Sequence, residues 1–327
     1  MSTRVVITGG AGFVGTILAR RLLSEPFAVG AAAPDEAGEL VLVDLVPPPP
    51  DLTADRRVRS VVGELGAVLP DIGTADVVFH LAGVVSGAAE ADFDLGMRTN
   101  VDAMRALLDH LRAAQPTPPV LVFSSSLAVF GADPAIGPVG IVDDDTLPRP
   151  QTSYGVQKFI GEQFVADYTR KGFLRGRSVR LMSVTVRPGK PNAAASGFMS
   201  GIIREPLAGQ AAVCPVPGDT AIALSSPHRT LDGIMRAASV DDATWGSTTA
   251  MNLPALTTTP TEMAAAMDRV TGRDPSRLIE WTPDPVIEAM VRTWPGRIDT
   301  PRAHRLGLAA DPSFEDIVRE YLAHARQ

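Results

Sequence analysis

Short, uniformly apolar runs alternate with stretches of helical periodicity through the first half of the chain. Arg4-Val5-Val6-Ile7-Thr8 reads as a buried strand, and Ile17, Leu18, Leu22 and Leu23 mark the apolar face of a helix over Thr16 to Ser24. Glu39 to Asp44, Val58 to Val62, Asp76 to Leu81 and Pro119 to Phe123 repeat the strand pattern, and a sixth strand is expected over Val179 to Arg187. Val101, Met104, Leu107, Leu108 and Leu111 recur at helical spacing, as do Phe159, Ile160, Phe164 and Val165. Strands that are apolar on both faces and separated by helices predict an α/β protein with a parallel sheet covered on both sides. The second half alternates shorter elements: a strand at Ala250 to Leu253 and helices at Leu231 to Ser239, Thr261 to Thr271, Asp284 to Thr293 and Pro312 to Ala323. Residues 25–39 and the acidic triplet Asp143-Asp144-Asp145 read as solvated loops, and Pro47 to Pro50 as a stiff surface connection.

Composition narrows the classes. The chain has 327 residues, 45% hydrophobic, enough for one large or two moderate domains. A net charge of -7 without a Lys/Arg run argues against a nucleic-acid partner. The single cysteine, Cys214, cannot form an internal disulfide and reads as a buried structural thiol in a reducing compartment. No signal peptide precedes the first strand and no apolar run reaches membrane-spanning length, so a cytoplasmic protein away from membranes is expected. No metal is expected.

Candidate chemistry lies at the carboxyl ends of the predicted strands. Gly9, Gly12 and Gly15 sit between a strand and a helix, where glycines allow a tight turn and close approach of backbone to a pyrophosphate. Asp44 ends the second strand, placed to accept from ribose hydroxyls and to repel a 2′-phosphate, which favours NAD over NADP. Gly63 and Glu64 end the third strand, with Glu64 available to an adenine amino group, and Leu81, Ala82 and Gly83 end the fourth. Ser124, Ser125 and Ser126 follow the fifth. Tyr154 and Lys158, four residues apart on one helix face, pair a phenol with an ammonium, which should lower the phenol from its usual value of about 10 and make it a general acid–base. His80, inside an apolar strand, reads as a core histidine.

Gly9-x-x-Gly12-x-x-Gly15, Asp44, Asn100, Ser126 and Tyr154-x-x-x-Lys158, in that order, resemble the extended short-chain dehydrogenase/reductase superfamily with its NAD-dependent epimerase/dehydratase pattern. The resemblance implies a doubly wound parallel Rossmann sheet over 1–187, with about 225–253 returning to it, and a smaller α/β substrate domain made mostly from 188–327. It implies NAD held by Gly9, Gly12, Phe13, Val14, Gly15, Asp44, Gly63, Glu64, Leu81, Ala82, Gly83, Asn100, Ser124, Tyr154, Lys158 and Pro188. It also implies catalysis by Tyr154, Lys158 and Ser126, and a homodimer built on the helix at 100–113 and the Tyr/Lys helix. Arg187 through Gly197, together with Ser200 to Gly209, closely resembles the D-erythronate dehydrogenase family, whose members oxidise the C2 hydroxyl of a four-carbon sugar acid. A small sugar acid needs a cation for its carboxylate, and Lys190, Asn192 and Arg229, with Ser86, Ser126 and Tyr154, are the candidate substrate contacts. A nucleotide-sugar epimerase or dehydratase is the rival, weakened because Pro188-Gly189-Lys190 stands where epimerases carry an asparagine. A non-catalytic NAD-sensing protein is a third reading, opposed by the joint retention of Ser126, Tyr154 and Lys158.

Overall fold

Seven strands, most of them with apolar residues on both faces, build the central layer. The computed structural model describes residues 3–114, 117–133, 135–189 and 194–324. The strands are β1 (Thr3–Thr8), β2 (Ala37–Asp44), β3 (Val58–Val62), β4 (Val77–His80), β5 (Val120–Ser126), β6 (Arg175–Leu181) and β7 (Met251–Asn252). They lie in the order β7-β6-β5-β4-β1-β2-β3, and every pairing is parallel. The order reverses between β1 and β4, and a crevice opens there at the carboxyl ends of the strands. The helices used below are α1 (Phe13–Ser24), α2 (Leu65–Ile72), α3 (Ala103–Ala114), α4 (Ser153–Arg170), α5 (Gly197–Leu207), α6 (Pro227–Ser239), α7 (Pro260–Thr271) and α8 (Phe314–His324).

Strand alternation divides the core in two. Val5 and Ile7 of β1, Val77 and Phe79 of β4, and Val120 and Val122 of β5 join Leu18 and Leu22 of α1 and Ile234 of α6 on one face. Val6, Val78, Leu121 and Phe123 join Met104, Leu107 and Leu111 of α3 and Val165 of α4 on the other. Burial on both faces is why these strands carry no polar alternation. Leu231, Ile234 and Met251 belong to the first face, so α6 and β7 come back to the central layer. A separate core gathers Ile202 and Ile203 of α5, Met263 and Met267 of α7, and Ile317 and Val318 of α8 around Cys214. The Cys214 thiol is buried, lies 3.4 Å from the Val216 carbonyl oxygen and is pushed up in pKa by burial, which matches a structural thiol.

Several boundaries move. The sixth strand begins at Arg175 and stops at Leu181, with Ser183–Val184 pairing into a small separate sheet. Its first residues, 175–178, precede the expected start, yet Arg177, like Arg180, is 2% exposed, and the two pair with Asp242 and Glu162. Helix α1 starts at Phe13 and not Thr16, and α6 starts at Pro227 with Ser226 as its cap. The serine triplet is the end of β5 itself, not a turn after it. Asp144 is not solvated: it is buried and accepts from the Asn252 backbone N–H at 2.6 Å, a donor on the edge strand β7.

Candidate active site

The crevice begins with the glycine turn. Gly9 and Gly10 both donate through their backbone N–H groups to the Val43 carbonyl, at 2.8 and 3.1 Å, which ties the turn to β2. Gly9 has φ +74°, and a Cβ there would lie 2.8 Å from the Ala82 nitrogen, while one on Gly15 would be driven into the Gly9 carbonyl oxygen. Gly12 caps α1 without a side-chain hydrogen bond, so the helix presents its first N–H groups and positive dipole end at the cleft wall. Gly9, Gly12, Phe13, Val14 and Gly15 line a cleft of about 950 Å³ together with Asp44, Gly63, Glu64, Leu81, Ala82 and Gly83. Asp44 is fixed at its strand end: its Oδ2 accepts from Ala11 N–H at 3.0 Å and its Oδ1 from Leu45 N–H at 2.7 Å.

The other end of the same cleft carries Ser86, Ser124, Ser126, Tyr154 and Lys158. Close contact of α4 with the turn after β5 brings the serine and tyrosine together. Thr152 caps α4 by accepting from Gly155 N–H at 3.1 Å, and a Cβ on Gly155 would run into the Ala128 carbonyl oxygen. Ser126 and Tyr154 line the same end of the cleft, where the serine hydroxyl acts to lower the phenol pKa. Lys158 donates to the Ser124 carbonyl at 2.8 Å, and its Nζ lies 5.7 Å from the Tyr154 ring centroid.

The electrostatics differ from the simple Tyr/Lys expectation. Burial pushes the Tyr154 phenol up to about 12, opposed by the hydrogen bond from Ser126 and by the charge of Arg187. The lysine ammonium is turned toward the Ser124 carbonyl, and burial lowers it to about 8. Arg187, a cleft-lining residue that the sequence reading left out, adds a cation whose charge favours the phenolate. It is held by Ser196, whose Oγ accepts from Nη2 at 3.3 Å, and by Arg204, which donates to its carbonyl at 2.8 Å. The signal was available: Arg187 follows a strand's carboxyl end, the rule already applied to the serines. Trp294 also lines the cleft and was missed, because nothing local marks it.

Other candidates fall elsewhere. Arg229 is not in the cleft lining; it sits in the first turn of α6, 3.5 Å from Asp232. Pro188 is outside the lining as well. Asn100 is buried beneath the cleft, accepting from Val84 N–H at 2.8 Å and donating to the Gln157 side chain at 2.7 Å, so its side chain is spent on Val84 and Gln157 and does not reach Lys158 directly. Lys190 and Asn192 lie outside the described residues. Ser86 is buried and accepts from Ala195 N–H at 3.2 Å, between the cleft-lining Ala194 and Ser196. His80 bonds Thr8 at 2.7 Å and is driven down to about 3 by burial and by the Lys158 charge, a neutral core histidine as read.

Residues 5–222 match the family model described as NAD dependent epimerase/dehydratase family. The chain belongs to this family. It is 46% identical over 325 residues to a D-erythronate dehydrogenase of Cupriavidus necator, with 98% of each chain covered. It is 38% identical to a D-erythronate dehydrogenase of Haemophilus influenzae, covering 98% of this chain and 99% of that one. The crystal structure of a nucleoside-diphosphate-sugar epimerase from Agrobacterium tumefaciens is 37% identical, with a TM-score of 0.86, 98% of this chain covered and 94% of that one. The epimerase/dehydratase fold is thus shared over nearly the whole length. The protein is an NAD-dependent oxidoreductase acting on CH–OH groups. The residues present fit the cofactor: the glycine cradle admits no Cβ at 9 or 15, and the carboxylate of Asp44 stands at the second strand end.

Proposed function

We propose that the protein oxidises the C2 hydroxyl of a small sugar acid, D-erythronate, to the 2-keto acid. The observation that carries this reading is the Arg187 guanidinium, half-buried in the cleft and acting on the Tyr154 phenol. A 2-hydroxy acid bears its carboxylate one bond from the reacting carbon, so a planar cation beside the general base suits it and can bind both oxygens. Tyr154 takes the hydroxyl proton, and Ser126 donates a hydrogen bond to the reacting oxygen. Lys158, fixed by the Ser124 carbonyl, supplies positive charge on the nicotinamide side, and the glycine cradle with Asp44 holds the adenosine and pyrophosphate. NAD, when bound, supplies the hydride acceptor. The full-length similarity to two proteins named D-erythronate dehydrogenase supports the choice of acid.

The similarity to a nucleoside-diphosphate-sugar epimerase favours a rival in which NAD is reduced only transiently. One assay separates them: NADH formation from D-erythronate, threonate and related acids, beside conversion of nucleotide sugars. NADH from D-erythronate is the expected result. Conversion of a nucleotide sugar, with no NADH from any acid, would reverse the reading. We also propose a homodimer through α3 and α4, where Val156 is 42% exposed on the catalytic helix. Light scattering should give twice the chain's 34.4 kDa, and a monomer mass excludes this assembly.

A further inference from the structure

One helical turn beyond Lys158 on α4, Glu162 lies buried at 2% exposure. Ser125 donates to its Oε1 at 2.5 Å, and Arg180 donates through Nε to Oε1 and through Nη2 to Oε2, both at 2.9 Å. Ser125 and Arg180 are register partners on β5 and β6, so two strands and the catalytic helix converge on one carboxylate. Arg180 is as deeply buried and lies 4.8 Å from the Phe130 ring centroid. A buried ion pair is poor evidence for stability, because desolvation consumes most of its Coulomb gain and an apolar pair of similar volume serves as well. Its place in the fold points to another role. Lys158 precedes Glu162 by four residues on the same helix face, and the Ser124 carbonyl that holds the ammonium is one residue before Ser125. Neighbouring positions of β5 therefore fix a cation and an anion on consecutive turns of α4.

We propose that Glu162 is a positioning residue for the reaction: clamped by Ser125 and Arg180, its carboxylate keeps the Lys158 ammonium charged and registered at the cleft. The groups around Lys158 are Tyr154 and Glu162 on its own helix and His80 on β4. Arg180 lies beyond Glu162, and Arg187 acts on Tyr154. His80 is neutral by burial, and Tyr154 stays protonated at neutral pH, so Glu162 is the nearest anion among these described groups. Burial pulls the Lys158 pKa down, and the Glu162 charge acts against that pull. Without it the pKa would fall further, and the lysine would lose its charge and its hold on ribose hydroxyls at lower pH.

The inference rests on the family's oxidoreductase chemistry and not on which acid is oxidised, so its test needs no substrate. The chain has three lysines, Lys158, Lys171 and Lys190. Protein labelled at lysine Cε therefore gives a short NMR spectrum, with Lys158 assigned by its loss in Lys158→Met. In Glu162→Gln the Lys158 titration midpoint should fall by about one pH unit, with the exposed Lys171 unmoved as internal reference. Gln at 162 leaves Arg180 unpaired and can unfold the chain, so Arg180→Met is titrated alongside. There the carboxylate, released from Arg180 and still held by Ser125, acts more strongly on Lys158 and the midpoint should rise. A Lys158 midpoint unmoved in whichever of the two variants folds overturns the proposal. A purely structural clamp would change thermal stability and leave both midpoints in place.

Discussion

Arg187 and Tyr154 decide the chemistry at the scale of single residues. The guanidinium is half-buried, and its charge offsets part of the desolvation that raises the phenol. Arg187→Met removes a charge-assisted contact to the substrate carboxylate worth roughly 1.5–3 kcal/mol, so the KM for the acid should rise roughly 10- to 150-fold. Affinity for NAD, measured by fluorescence titration, should hold. An unchanged KM would remove Arg187 as the carboxylate anchor. The pH dependence follows from the same pair. Oxidation needs the phenolate, whose pKa is raised, so the fraction of competent enzyme grows as protons are removed. The oxidation rate should therefore climb from about pH 6 to about pH 8, as general base catalysis requires. A rate that falls over that range in a pH–rate series would exclude Tyr154 as the base.

Helix α4 converts sequence spacing into a site at the scale of elements. Its capping threonine fixes where the helix begins, and the bare Gly155 lets its first turn touch the turn after β5. Ser126 and Tyr154 meet because of that contact. Gly155→Ala forces the helix away from the Ala128 carbonyl, and a misplacement of about an ångström at a catalytic group can reduce turnover on the order of 100-fold. NAD binding, held mainly by the cradle on α1, should survive. Near-normal turnover in the alanine variant would show that the contact is not what aligns the pair. The Tyr/Lys spacing was legible from the sequence because helix periodicity is local. The direction of the ammonium was not, since the Ser124 carbonyl that captures it lies on another element, 34 residues away.

The central layer is completed late in the chain, a fact that belongs to the whole molecule. Helix α6 supplies Leu231 and Ile234 to the first core face and β7 forms the sheet edge beyond β6. A fragment of residues 1–187 would expose the apolar surface that α6 covers and leave β6 as an unprotected edge. It should therefore lack a cooperative thermal transition and aggregate on expression; a soluble fragment with sharp unfolding would show that the first half is self-sufficient. The sequence by itself determined the parallel layer, the glycine cradle and Asp44, because each is carried by local signals: unbroken apolar runs, glycines between strand and helix, an acid at a strand end. Only the tertiary structure decided the rest. Asp144 passed for a solvated loop residue until β7 arrived with the Asn252 N–H to bond one of its oxygens. Arg177 hid the start of a buried strand because its partner, Asp242, is distant in sequence. Arg229 looked available for substrate, and its helix points it at Asp232 instead. Charge pairing and desolvation depend on what packs against a group, and that information is not local to any stretch of chain.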